Sequence, residues 1–297
     1  MVISKTFPLL QQFRKKNHGV FEVSVSSIVT EQGILHYESI GRGQPIILLH
    51  GWINSWDVWR DMMINLASTK RYRVYALDFW GFGDSAKASQ TQSTTFQIES
   101  YVEMVNQFMD ALGIQKAPIF GHSMGGTVAL QISLAHPERV EKVALVGSPI
   151  IGRSLHPFLQ LAGYGSIAKL VWRYPIMLHS IMRILLAKDS KKVRTMIFRD
   201  VQRTTIESFF RSIGDLRDTD LRNQLPTLDI PILGIYGAKD KIVSPMNADL
   251  LKSGVKSVEV QVMHQSRHFP MTDEPETFLN AVNSFLNNHN HSNGQVV

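Results

Sequence analysis

The segment Phe120-Gly121-His122-Ser123-Met124-Gly125-Gly126 holds the residue types with the clearest capacity for covalent chemistry. Glycines on both sides of a serine permit a turn so tight that side chains would clash with neighbouring backbone. An apolar run precedes the turn and an amphipathic stretch follows it, so Ser123 is expected at the tip of a strained strand-to-helix turn. A serine hydroxyl attacks a carbonyl only when a base removes its proton, and that base needs an acid to orient it. The tetrahedral species formed would carry a negative oxygen, which requires backbone donors about 3 Å away. The N–H of Met124, at the start of the following helix where the helix dipole adds to it, is one expected donor.

Topology narrows the partners. In a parallel sheet functional groups gather beyond the carboxyl ends of the strands. Asp240 follows the run Ile232 to Gly237 at that end, whereas Asp229 lies at the opposite end of the same strand. Val258 to Met263 reads as the last strand, and His268 follows it in the loop before the final helix. Ser123, Asp240, His268 is also the chain order used by hydrolases with this serine turn. The sequence has eleven histidines. His264, at the end of the last strand, is the second candidate for the base. His122 is expected to point away from the hydroxyl while bordering the substrate pocket, and His50 to serve a structural role. His156, His179, His289 and His291 fall in an insertion or the tail and read as solvated or packed. The second oxyanion donor is expected from the loop His50-Gly51-Trp52, where Gly51 allows the bend. There the Trp52 N–H would point at the site while its indole lines a pocket.

These positions require particular elements. Alternating polarity from Phe21 to Gly41, broken at Glu31-Gln32-Gly33, reads as a hairpin. Continuous apolar runs at Pro45 to Leu49, Arg73 to Leu77, Ala117 to Phe120, Lys142 to Val146 and Ile230 to Tyr236 read as strands buried on both faces. Helical periodicity falls at Trp56 to Ser68, Ile98 to Leu112, Met124 to His136, Pro245 to Leu251 and Pro275 to Asn287. Strand and helix in this alternation predict a mostly parallel eight-stranded sheet flanked by helices. Residues 151–225 interrupt it with helical periodicity and no strand, and Gly163, Gly165 and Pro175 divide them into several short helices.

The ordered set of motifs resembles the α/β-hydrolase superfamily. It comprises His50-Gly51 after one strand, Asp78-Phe79-Trp80-Gly81-Phe82-Gly83-Asp84-Ser85 after the next, Gly-His-Ser-Met-Gly-Gly at the turn, Gly237-Ala238-Lys239-Asp240, and His268-Phe269-Pro270. The likeness spans residues 21–288. It implies a core of residues 21–150 and 226–288 under a helical cap of residues 151–225, and a serine esterase or lipase-like activity through an acyl-enzyme without metal or cofactor. Members that open epoxides or remove halide carry a carboxylate where Ser123 stands, and members that cleave carbon–carbon bonds commonly show asparagine at the place of His122. The sequence departs from the pattern at Ser266-Arg267, where a glycine often precedes the histidine; Arg267 could alter the approach to His268 or meet an anionic substrate. The same triad also serves perhydrolysis, carbon–carbon cleavage and cofactor-free oxygenation in similar proteins, and some relatives are small-molecule receptors.

Composition bounds the rest. The 297 residues include no cysteine, which excludes disulfide scaffolds, thiol nucleophiles and cysteine-ligated metals. No apolar run reaches the roughly 18 to 20 residues of a membrane span. Residues 1–20 place Arg14-Lys15-Lys16 after a short apolar stretch, the reverse of a secretory signal, so a cytoplasmic protein is expected. Residues 289–297 read as a flexible tail. Of the formal charge of +6, the cap carries thirteen basic and six acidic residues, a net of +7, and the remainder −1. Within it Leu161 to Ala187 is mostly apolar. Trp172, Met177 and Met182 are expected in the pocket ceiling, and Lys169, Arg173 and Arg183 raise the alternative of contact with an anionic membrane surface. Nucleic-acid binding is not expected, because no reader motif accompanies the charge. An apolar ceiling predicts a small-molecule ester with an apolar acyl or alcohol part.

Overall fold

β-branched and aromatic runs that are apolar on both faces can be satisfied only between two layers of helix, and the chain builds that sandwich. The computed structural model describes residues 3–5, 24–30, 32–85, 94–186 and 188–288. The basic cluster at residues 14–16, the first hairpin residues, Glu31, His289, His291 and the tail lie outside them. The strands are β1 (Ile3–Lys5), β2 (Ser24–Thr30), β3 (Gly33–Gly41), β4 (Gln44–Leu49), β5 (Tyr72–Leu77), β6 (Ala117–His122), β7 (Val140–Val146), β8 (Ile232–Gly237) and β9 (Val258–Met263). Their order across the sheet is β1-β2-β3-β5-β4-β6-β7-β8-β9. β1, β2, β3 and β5 pair antiparallel, and all pairs from β5 to β9 are parallel. The eight expected strands are present, and β1 adds a three-residue edge.

Helices α1 (Arg60–Ser68), α2 (Ile98–Ala111) and α3 (Met124–Ala135) cover the sheet together with elements from the C-terminal part. The helical stretch expected from Trp56 begins as a 3₁₀ turn, Trp56–Trp59, before α1 takes over. Between β7 and β8 five helices follow one another: α4 (Pro157–Ala162), α5 (Gly165–Arg173), α6 (Pro175–Leu185), α7 (Lys191–Val201) and α8 (Ile206–Asp218). Proline opens α4 and α6, where its missing N–H costs nothing, and Ser190 and Thr205 cap α7 and α8 with their side chains. After β8 come α9 (Asn247–Gly254), α10 (Pro270–Asp273) and α11 (Pro275–Asn287).

The direction of strand connection reverses at β4, which has β5 on one side and β6 on the other. A switch of this kind leaves a crevice beyond the carboxyl ends of the strands. The loops that end β4, β6 and β8, and the loop after β9, all open there. Helices α4 to α8 lie over the same end, so everything with chemical capacity sits between cap and sheet.

Candidate active site

Ser123 occupies backbone angles of φ 52° and ψ −121°, a region a residue with a side chain enters only when its surroundings force it. The forcing contacts are visible. Its N–H donates to the Val146 carbonyl of β7 at 2.8 Å, and its carbonyl accepts the Gly126 N–H at 2.9 Å as α3 begins. A Cβ on Gly121 would lie 2.2 Å from the Gly125 carbonyl oxygen, so the turn closes only because that residue is glycine.

The Asp240 loop ends β8. One carboxylate oxygen accepts the His268 Nδ1–H at 2.8 Å, and the other accepts the backbone N–H groups of Ile242 at 2.7 Å and Val243 at 3.0 Å. The acid is thus held at both oxygens. With Nδ1 donating to Asp240, the neutral ring leaves Nε2 bare, as a general base requires. His268 and Ser123 line one cavity.

The loop bearing His268 is pinned from three sides. Asp273 accepts the Arg267 N–H at 2.8 Å, Glu274 accepts the Ser266 hydroxyl at 2.6 Å, and His122 Nε2 donates to the His268 carbonyl at 2.8 Å. His122 therefore stands behind the base, its ring 4.8 Å from those of both His268 and Phe269. Full burial, with His268 nearby, pushes its pKa well below the usual value and keeps it neutral. This corrects its expected place: it is absent from the cavity wall, because its ring is spent on positioning the histidine loop. Ser266 and Arg267, where the sequence departs from the expected glycine, both bond to α10 and the start of α11. Among the described residues His264, the alternative base, makes no hydrogen bond or ion pair with Asp240 or Ser123, whereas His268 has the carboxylate.

The loop after β4 passes against the serine. A Cβ on Gly51 would meet Ser123 Cβ at 3.0 Å, which places the Gly51–Trp52 backbone beside the hydroxyl. Met124 opens α3 on the other side. The Trp52 indole N–H donates to the Phe209 carbonyl of α8 at 2.8 Å, joining core to cap. His50 is a brace: its Nδ1–H donates to the Gly51 carbonyl at 2.7 Å and its Nε2 accepts the Phe79 N–H at 2.9 Å. Complete burial lowers its pKa to about 4.

The cavity holds about 50 Å³ and is walled by Trp52 from the core and by Leu159, Leu178 and Met182 from the cap, with Phe209 and Asn54 beside them. Trp172 and Met177, expected in the ceiling, are not on this wall. Trp172 stands one layer back, edge-on to Phe209 at 5.3 Å, and Met177 faces outward. In α6 His179, Ser180 and Arg183 mark one polar side and Met177 and Met182 flank the apolar side opposite, so periodicity could not say which methionine points in. Sequence reasoning also missed Asp189. This buried carboxyl follows α6, and burial, with the negative charge of Asp273, pushes its pKa to about 6; His268, Arg267 and Asp240 also act on it. Its one signal is position, as the first acidic residue after 142–188, a stretch with none.

A model of the α/β-hydrolase fold family matches residues 44–178. A pimeloyl-acyl-carrier-protein methyl ester esterase from Aeromonas hydrophila subsp. hydrophila is 27% identical over 259 residues, covering 84% of this chain and 98% of that protein. Among solved structures, a hydrolase from Pseudomonas aeruginosa superposes with a TM-score of 0.75 at 22% identity, covering 91% of this chain and 100% of the other. An esterase from Exiguobacterium antarcticum gives 0.73 at 23% identity, covering 90% and 99%.

Proposed function

We propose that this chain, a member of the α/β-hydrolase superfamily, cleaves carboxylic esters through an acyl-enzyme on Ser123. One observation carries the reading: a serine held at φ 52° and a histidine held by a carboxylate at 2.8 Å meet in one apolar cavity. In the proposed first step His268 Nε2 takes the hydroxyl proton as Ser123 Oγ attacks the ester carbonyl. Asp240 keeps the ring oriented and stabilises the imidazolium. The oxyanion is received by the Trp52 and Met124 N–H groups, preorganised by the Gly51 bend and the start of α3. His268 returns its proton to the departing alcohol, and water then reverses the sequence to release the acid. No step draws on a metal or a redox group.

The esterases among the similar proteins support the ester class, and the apolar wall supports the preference within it. Aliphatic and aromatic side chains around the serine favour hydrophobic acyl or alcohol groups over acetate. The test is labelling with a fluorophosphonate, wild type beside Ser123→Ala, followed by p-nitrophenyl esters of increasing chain length. Labelling and turnover lost together in Ser123→Ala, with hexanoyl or octanoyl esters preferred to acetyl, support the reading. Labelling that survives the substitution removes Ser123 as nucleophile.

A further inference from the structure

Helix α6 buries one apolar face and, among the described residues, exposes large apolar side chains beside Ser180 and Arg183 on the other. Leu178, Met182 and Leu186 are buried, and with Leu185 they roof the catalytic cavity. On the opposite face Ile176 is 84% and Ile184 76% exposed, with Met177 beside them. A surface helix normally turns polar residues to solvent, so two isoleucines this exposed leave an apolar surface uncovered among the described residues. Helix α5 continues the surface: its exposed positions Ser166, Lys169, Leu170 and Arg173 recur at helical spacing, and Tyr174 at the junction is more than half exposed. The outer surface of this helical pair therefore alternates large apolar groups with Lys169, Arg173 and Arg183, all exposed.

The charge says what fits there. No aspartate or glutamate occurs from residue 142 to residue 188, so the cations on this face have no acidic neighbour on their own helices. Among the described residues α5 and α6 make no hydrogen bond or ion pair with the hydrolase core. A protein partner or a second copy would have to bring both acidic groups and an apolar surface in register. An anionic bilayer supplies them without register, phosphates for the lysine and arginines and acyl chains for the isoleucines. No helix of the described residues is long and apolar enough to cross a membrane, so contact would be interfacial.

We propose that the outer face of α5 and α6 docks on an anionic lipid surface, with Ile176 and Ile184 inserted and Lys169, Arg173 and Arg183 at the headgroups. The inner face of the same helix roofs the cavity, so the docked lid would open toward the bilayer and admit apolar esters dissolved in it. This delivery step rests on the ester-hydrolase reading, while the docking does not.

The experiment is flotation of the full chain with vesicles of equal parts phosphatidylglycerol and phosphatidylcholine, and with phosphatidylcholine alone, at low and high salt. Binding is expected to the anionic vesicles and to fall with salt. The paired variants Ile176→Glu/Ile184→Glu and Arg173→Glu/Arg183→Glu are each expected to lower the partition coefficient about tenfold or more. Ile64→Glu, at an exposed apolar position on α1, leaves it unchanged. Circular dichroism of every variant reports folding and fluorophosphonate labelling reports the chemistry, so loss of docking and loss of the hydrolase reading are distinct results. Absence of binding to anionic vesicles overturns the proposal, as does binding indifferent to both pairs. A dimer in solution dispersed by Ile176→Glu/Ile184→Glu, with no vesicle binding, would assign the face to a second copy instead.

Discussion

Asp240 shows how much a single side chain is asked to do. One of its oxygens holds a ring N–H and the other two backbone N–H groups, so Asp240→Asn would replace an acceptor with an amide at a site built entirely of donors. The neutral ring would then favour the tautomer that leaves Nε2 protonated, unable to take the serine proton. A loss in kcat on the order of 10³ to 10⁴ is expected with KM little changed, read from steady-state ester hydrolysis. His122 acts at one remove. His122→Phe preserves the buried ring but removes the donor to the His268 carbonyl, and about a tenfold fall in kcat is expected from the freed loop. Fluorophosphonate labelling should slow in parallel while the unfolding midpoint changes less. The gathering of Ser123, Asp240 and His268 at one end of the sheet was legible in the sequence because each follows a strand there, where chain order and residue type leave few choices. His122 was half legible: the turn fixes it beside Ser123, but only the fold brings the His268 carbonyl to its Nε2.

At the scale of elements, the cap divides into a bolted half and a lid. Helix α8 is tied to the core by the Trp52–Phe209 bond and by Ser208, whose hydroxyl donates to the Gly81 carbonyl at 2.8 Å. Arg199 on α7 meets Asp57 of the core at 2.7 Å, and Ser55 donates to Asp200 at 2.9 Å. Among the described residues helices α5 and α6 have no such ties. A cavity of about 50 Å³ admits only a few waters, far below the ~300 Å³ or more of a typical ligand site, so substrate entry requires these helices to shift. Met182→Trp would fill the roof, and the ratio of octanoyl to acetyl turnover is expected to fall severalfold with labelling of Ser123 retained. Asp189, between α6 and α7, gives this junction a pH dependence. Its folded pKa, about 6, lies above the usual carboxyl value, so the cost of burying it is absent in acid and grows as pH rises from about 4 through 6. Amides of residues 188–193, corrected for intrinsic exchange, should therefore gain less protection at pH 7 than at pH 5, and Asp189→Asn should remove the difference. The insertion and its helical content were readable from periodicity. Which methionine of α6 looks inward was not, because Met177 and Met182 flank the apolar side of the helix about equally.

The whole molecule sets its charge pattern and its response to acid by separate means. The +7 of residues 151–225 against −1 elsewhere could be counted from the sequence, whereas the groups that govern acid stability could not be recognised, since burial is a property of the folded chain. Two of them oppose each other. His50, fully buried, has its pKa lowered to about 4, so the unfolded chain takes up its proton first as pH falls from 6.5. Its linkage favours the folded state above that range and is lost on acidification toward pH 4. Asp78 is also fully buried, and desolvation outweighs nearby His36 and its backbone donors to raise its pKa to about 7. The folded state then holds that proton more tightly than the unfolded one, and its linkage favours folding in acid and is lost as pH rises from about 4 to 7. Because the two shifts are of similar size and share nearly one window, their slopes largely cancel in the wild type. Removing either should expose the other. Urea unfolding at pH 5 and pH 7 is expected to show His50→Gln costing more stability at pH 7 than at pH 5, and Asp78→Asn the reverse, each difference on the order of 1 to 2 kcal/mol. Equal costs at the two pH values would mean that neither group titrates differently on folding. His50 and Asp78 brace the loops after β4 and β5, through the Phe79 N–H and through the N–H groups of Trp56 and Asp84. The same balance therefore braces the loop carrying Trp52 over the range, from about pH 4 to 7, in which rising pH increases the cost of burying Asp189.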